Sequence, residues 1–297
     1  MATLMKRVLI LLAAGGGVCL QAAELPSRIP NDPFAWVYYT RLAKSDLREE
    51  SDGTVSAQEV EAVASLPVLE SRPLLLAIGA GFTWDQIDLN GPEADREDLY
   101  AVSLPLDLFL EGDSPWSGWA NATPLVAGDY DGADGQEFRT LFHAMALYRF
   151  TPSVQAAAGL GYSTVFGEER LYPLGGLIWR IGPAWELSLL LPQPRVTWAP
   201  NERLLVFTDL RPAGNVWRLQ GEDTDRAYDF NVETWRAGAG CEFGITRQLW
   251  LHLAAGIDFD RHYETHGTGA HDFKSDADDA FFFRVGLILR PPATAHP

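Results

Sequence analysis

Trp185 to Phe207 reads W-E-L-S-L-L-L-P-Q-P-R-V-T-W-A-P-N-E-R-L-L-V-F. Trp185, Leu187, Leu189 and Leu191 alternate with Glu186, Ser188 and Leu190, the period-2 signature of a strand. Pro192 and Pro194 end that run, and Pro200-Asn201 ends the next. Proline cannot donate to a strand ladder, and such dipeptides mark turns. The stretch is therefore expected to hold three short strands joined by two tight reversals, with aromatics near their ends.

The same alternation runs outward in both directions. Leu74, Leu76, Ile78, Ala80, Phe82 and Trp84 face one way, while Ala77, Gly79, Gly81, Thr83 and Asp85 face the other. Val154, Ala156, Ala158, Leu160 and Tyr162 alternate with Gln155, Ala157, Gly159, Gly161 and Ser163. Further on, Trp235, Ala237, Ala239, Cys241 and Phe243 alternate with Arg236, Gly238, Gly240 and Glu242. Leu249 to Phe259 and Phe281 to Leu289 repeat the pattern, with His252, Asp258, Arg284 and Gly286 on the polar side. One face is apolar along whole strands, and the other carries glycine and charge. Strands of soluble sandwiches average about five or six residues, whereas spans of roughly ten with aromatic ends suit a lipid-facing wall.

The connections give a second argument. Very short turns are expected at Thr151-Pro152, Gly182-Pro183, Pro200-Asn201 and Ile245-Thr246-Arg247. Longer polar connections are expected at Asp88 to Asp98, Asp129 to Gln136, Arg211 to Asp229 and Tyr263 to Asp279. Outer-membrane barrels have short periplasmic turns and long outer loops. With Arg211 to Asp229 as one outer excursion, the assignment predicts an all-β fold: a single antiparallel up-and-down transmembrane β-barrel of about twelve strands, an even number. The strand at Trp116 to Gly128 is interrupted by Pro124.

The run L-L-L-P-Q-P-R-V-T-W-A-P-N-E-R, preceded by Y-P-L-G-G-L-I-W-R, resembles an uncharacterised family of Gram-negative outer-membrane β-barrel proteins known only as a domain of unknown function. The likeness spans roughly Arg72 to Arg290 and centres on P-x-P-R-V-T-[aromatic]-x-P at Pro192 to Pro200. It implies an exported barrel and carries no catalytic residue to this chain. Barrel proteins often close on a glycine, alternating apolar residues and a terminal aromatic, which the barrel assembly machinery reads. Gly286, Leu287 and Leu289 fit that ending, but the chain runs on to Pro297 without the aromatic.

Composition sets the compartment and the partners. Residues 1–23 read as a secretory signal: Lys6 and Arg7, then the apolar core Val8 to Leu20, then Gln21-Ala22-Ala23. Cys19 sits in a poor lipoprotein context. No later apolar run reaches the ~18 residues of a membrane helix. Losing Lys6 and Arg7, and no acid, moves the formal charge of the 297-residue chain from -17 to -19. That acidity speaks against nucleic acid and anionic headgroups as partners; the expected partners are outer-membrane lipid, the assembly machinery and a solute of unspecified chemistry. Cys241 alone remains after cleavage, so neither an intrachain disulfide nor a cysteine metal cluster is expected. Ten tryptophans suit an aromatic girdle, although a dense soluble core would explain them too.

Residues 24–71 differ from the rest. Ser56-Ala57-Gln58-Glu59 reads as a capping box, followed by Val60, Val63 and Leu66 at helical spacing. A short, partly helical lead-in, plugging the bore or lying on the periplasmic side, is expected over 24–71. The barrel then follows over 72–290, and a tail over 291–297.

Candidate chemistry lies mostly on the predicted inner faces. Arg149, Arg180, Arg195, Arg236 and Arg284 gather there with Asp85, Glu186, Glu242 and Asp258, and with His143 and His252. These could set ion selectivity, or fill the bore with ion pairs that hold it rigid. His262, His266 and His271 stand among Asp260, Asp272, Asp276, Asp278 and Asp279, ligand types for a divalent ion in no compact motif. Asp129 to Glu137 resembles a calcium loop, with its third acid one place late and its glutamate too early. Catalysis could use the inward His143, or His252 with Asp258 on the same face, but the nucleophile would have to be Ser163 or Ser188 and no G-x-S-x-G elbow is present. Separately, a barrel-mounted acid–histidine hydrolase could use Asp258, Asp260 and His262 near a rim. Gly159 and Gly161 lie within a strand and make no phosphate loop. No cofactor, catalytic residue or committed metal ligand follows. The expected function is a non-enzymatic pore for small solutes or a structural, recognition-loop barrel. A barrel-mounted hydrolase and a soluble periplasmic β-protein binding an apolar ligand are the alternatives.

Overall fold

The computed structural model describes residues 28–30, 32–48, 53–71, 73–90, 96–130, 135–220, 227–267 and 273–291. The expected signal, Cys19, His271, Asp272 and nearly all of the expected tail lie outside them. The strands are β1 (Ala35–Asp46), β2 (Thr54–Ser71), β3 (Leu74–Asn90), β4 (Arg96–Ser103), β5 (Leu106–Glu111), β6 (Trp116–Gly128), β7 (Gln136–Thr151), β8 (Val154–Ser163) and β9 (Arg170–Ile181). They continue as β10 (Trp185–Leu191), β11 (Arg195–Asn201), β12 (Leu204–Pro212), β13 (Asn215–Gln220), β14 (Ala227–Gly244), β15 (Leu249–His266), β16 (Lys274–Ala277) and β17 (Ala280–Leu289).

Three staves are each broken once. β4 and β5 both pair with β3 across a break at Leu104-Pro105. β12 and β13 both pair with β14, and β16 and β17 with β15. β17 pairs with β1, so the sheet closes on itself as an antiparallel barrel of 14 staves. Closure removes the unpaired edges an open sheet would expose.

The expectation of about twelve strands is corrected to 14, and the difference is the lead-in. β1 and β2 are full staves, and no described residue is helical. The helical spacing at Val60, Val63 and Leu66 is broken up by the real period: Val63 points inward, Val60 and Leu66 outward, as their pairing with Trp84, Gly81 and Ile78 dictates. Glu59, read as the end of the capping box, points into the barrel, as does Glu61. Sheet pairing on both edges of β2 overrides a weak local preference. Among the described residues of the lead-in, 28–30 and Phe34 touch opposite sides of the wall. Phe34 is tied to β17 and β2, whereas Arg28 donates its backbone N–H to Pro183 O at 2.8 Å and its guanidinium to Pro200 O at 3.0 Å.

Pro124 does not interrupt β6, which pairs with β7 throughout. Its carbonyl accepts Leu104 N–H at 2.9 Å, beside the break in the neighbouring stave. One end of the barrel carries connections 72–73, 112–115, 152–153, 182–184, 202–203 and 245–248; three of the four expected short turns fall on them, and the one expected at Pro200-Asn201 moves to 202–203 because β11 runs on through Asn201. The other end carries 47–53, 91–95, 129–135, 164–169, 192–194, 221–226 and 267–273. Arg211 to Asp229 is not one loop, because β13 and the start of β14 occupy most of it.

Candidate functional site

Outward positions are apolar and uncovered: Phe281 is 72% exposed, Phe138 68%, and Leu171 and Leu191 65% each. The interior is where polar side chains meet. Near the long-connection end, an apolar core crosses the bore. Val55, Ile87, Leu99 and Ala127 come from one wall and Trp217, Leu219, Phe230 and Tyr263 from the other. β13 makes this possible by leaning over its neighbours. Asp129 N–H donates to Arg218 O at 3.1 Å and Gln220 N–H to the Asp129 carboxylate at 2.6 Å, so Asp129 anchors a strand. Arg139 donates to Val216 O at 2.5 Å, and Thr164 Oγ1 to Asn215 Oδ1 at 2.8 Å. Gly214 sits so close to this seam that a Cβ would meet Gly167 N at 2.9 Å and Val165 O at 3.0 Å.

A charged layer lies below. Arg236 makes two 2.8 Å hydrogen bonds to the two Asp258 oxygens and a third, 3.0 Å, to Glu59. Arg284 donates to Thr40 Oγ1 at 2.8 Å and to Glu59 at 3.3 Å. Asp85 faces Glu59 across the β2–β3 pairing, and its Oδ1 is buried without a hydrogen-bond partner. Nearer the short-turn end, Glu242 gathers Arg195 at 3.1 Å, His252 Nδ1 at 3.3 Å, and Arg290. The His252 ring lies between Phe207 at 5.2 Å and Tyr38 at 4.8 Å. Below it, Trp36, Ala199, Leu205, Trp250 and Ile288 form a second apolar plug.

The opposite wall is less crowded. His143 Nε2 lies 2.9 Å from Tyr172 Oη, and Trp119 stacks on the His143 ring at 6.1 Å. A Cβ at Gly161 would meet the Tyr172 ring at 2.7 Å, so glycine there makes room for an inward aromatic. Asp107 accepts from Trp119 and Asn121 at 3.1 and 2.9 Å. Arg180 pairs with Glu186 at 2.8 Å, and Arg149 reaches Glu111 at 3.6 Å.

All eleven residues singled out on inner faces thus lie on the interior side of the wall. They form separate groups: Asp85, Arg236, Asp258 and Arg284; Arg195, Glu242 and His252; Arg180 and Glu186; and His143 and Arg149, each apart. Glu59, Arg290, Arg211 and Tyr172 escaped the sequence reading. Glu59 could have been found by reading residues 54–71 with period 2. At the long-connection rim His262 Nδ1 is 2.5 Å from Asp276 and Nε2 3.2 Å from Asp260, while His266 pairs with Glu264 at 3.4 Å. Among the described residues, no three His, Cys, Asp or Glu side chains are grouped to hold a metal ion.

No protein-family model matches the chain, and no curated protein does. Among solved structures it is similar to the Pseudomonas putida toluene transporter TodX, with 10% identity over 95% of each chain and a TM-score of 0.40. The NanC porin shares 8% identity over 86% of this chain and 99% of its own, with a TM-score of 0.35. The translocator domain of the autotransporter NalP from Neisseria meningitidis shares 11% over 88% and 89%, with a TM-score of 0.37. At such identities nothing about solute or activity transfers to this chain.

Proposed function

We propose that the protein is a non-enzymatic outer-membrane barrel that passes small solutes through a narrow, largely filled bore. The observation that carries this reading is the division of the closed wall into an apolar outside and a charged inside. Apolar surface left in water costs about 25 cal/mol per Å², and lipid removes that cost. The short-turn end bears an outward aromatic row, including Trp185 stacked on Trp198 at 5.7 Å and Trp116 edge-on to Tyr148 at 4.8 Å, as expected of an interfacial girdle. This end then faces the periplasm and the longer connections face outward.

The contacts of the acid–histidine candidates support the non-enzymatic reading. Asp258 gives both oxygens to Arg236, His252 is wedged between two rings, and both nitrogens of His262 face carboxylates. Ser163 is buried, and its Oγ accepts Val165 N–H at 3.2 Å. A general base needs a free lone pair within reach of its nucleophile.

The test is conductance of the refolded mature chain in a planar bilayer, after heat-dependent gel mobility has confirmed folding. Small stepwise currents that favour cations are expected, because acids predominate over bases in the chain. A folded barrel that carries neither ions nor small solutes would overturn the conduit and leave a structural or recognition barrel.

A further inference from the structure

The long-connection rim holds a histidine between carboxylates of two strands. Glu233 of β14 lies opposite His262 of β15, which in turn lies opposite Asp276 of β16. His262 points outward, because its neighbours Arg261 and Tyr263 are buried inside. The apolar outer run of β15 ends at Phe259, so the histidine stands above the lipid-facing wall. Asp260 reaches the same ring because β15 bulges there. Between Glu233 and Trp235 the register takes up one extra residue of β15. Asp260 adopts φ +53°, a left-handed conformation that aspartate tolerates better than most residues. Its carboxylate comes 3.2 Å from His262 Nε2, and Asp276 comes 2.5 Å from Nδ1. An imidazole donates from both nitrogens only when it is protonated. In the neutral ring one of the two carboxylates faces a lone pair.

Among the described residues, the charges around the ring favour its protonated form. Glu233, Glu264, Asp278 and Asp279 add to the negative field. Lys274 is engaged with Glu264 at 3.2 Å and Arg48 with Asp278 at 2.8 Å. His266 pairs with Glu264 at 3.4 Å, and Arg261 turns inward to Ser45 and Tyr263. His262 therefore titrates above the ordinary histidine value, with the Asp276 hydrogen bond as the main cause. Stability from such a group is full below the ordinary value and is lost as pH rises through the raised one. A cavity of about 420 Å³, lined by Arg48, Asp260, His262 and Asp276 among others, gives water a way to the ring. The contacts hold β16, which is four residues long. Ala277 is buried in the apolar core around Trp217 and bridges to Leu47 of the same core, and Phe273 packs against it. β16 thus covers the mouth of the bore from the β15 side.

We propose that Asp260, His262 and Asp276 form a pH-sensitive staple that holds β16 over the mouth in acid and releases it in alkali. The gating of solutes by this staple rests on the conduit reading above; the change in β16 itself does not. As pH rises the ring gives its proton to water in the cavity, and the longer contact, to Asp260, is the first to go.

The test is amide hydrogen exchange of the mature chain folded in phosphatidylcholine vesicles, at about pH 5.5 and about pH 9, on either side of the histidine range. Rates are corrected for intrinsic exchange, and β10 serves as the reference strand. Protection of β16 should fall about two- to fivefold at the higher pH, the scale of one or two exposed ion pairs, while β10 stays constant. His262→Gln should be loose at both values, and His262→Arg tight at both. Asp260→Gly suits the left-handed bulge and should shrink the pH effect while keeping the fold. In planar bilayers, openings of the parent should become more frequent by a similar factor at the higher pH, and those of His262→Arg should not. Protection of β16 that ignores pH, or a full pH effect retained in His262→Gln, would overturn the staple. Currents that ignore pH while β16 responds would overturn the gate. A silent barrel whose β16 still responds would overturn the conduit and leave the strand switch standing.

Discussion

Asp258 and Arg236 meet through two parallel hydrogen bonds with both side chains out of solvent. Taking two charges out of water is costly, and such a pair holds only while both partners are present. Asp258→Asn should therefore lower stability by about 3–5 kcal/mol, because Arg236 would keep Glu59 alone as a charged partner. Removing both charges, as Arg236→Met with Asp258→Leu, should recover most of that loss. Urea unfolding in vesicles, followed by tryptophan fluorescence, measures both. A single variant as stable as the parent would mean that water reaches this layer. Arg236 and Asp258 stood out because each interrupts glycine and alanine on an alternating strand. Their third partner, Glu59, did not, since its neighbours also fit a helix.

β13 is the element that turns an open cylinder into a closed one. Its six residues leave the line of β12, bond to Asp129 and Arg139, and press Trp217 and Leu219 into the bore. Trp217 is 1% exposed, so Trp217→Ala should cost about 3–5 kcal/mol. It should also raise single-channel conductance by removing the widest side chain of the barrier. Unchanged conductance in a folded Trp217→Ala barrel would place the constriction elsewhere, at the Glu59–Arg236 layer or the Trp36 plug. Nothing local in Arg211 to Asp229 announces this strand. Its polar residues and Gly214 read as a loop, and only the neighbouring wall gives Trp217 a place to be buried.

At the scale of the whole molecule, the solvent outside the wall decides what a charge costs there. Phe283 lies midway along β17 on the outer face, and Phe243 lies at the short-turn rim of β14. In lipid, Phe283→Arg should destabilise by about 2–4 kcal/mol and Phe243→Arg by about 0–1 kcal/mol. Folding in detergent-free vesicles with urea as titrant gives the difference. In a soluble barrel both exposed sites would shift stability by no more than about 0.5 kcal/mol, so equal, small effects would sink the membrane reading.

The sequence by itself determined the alternation, and with it the strand class, the facing of residues in β3, β8, β14, β15 and β17, and the end at which the short turns lie. Side-chain direction in a strand is a local property of period two, so it survives without knowledge of partners. It also contained the low hairpin, since Pro192 and Pro194 fix where β10 stops and β11 begins. Tertiary structure alone decided that β1 and β2 join the wall, which took the barrel from twelve staves to 14. The helical and strand patterns of β2 overlap, and the edges of β1 and β3 settle the choice. It alone decided that β13 crosses the mouth, and that β10 and β11 stop short of their neighbours. Those are facts about which segments lie side by side, and residue period says nothing of that.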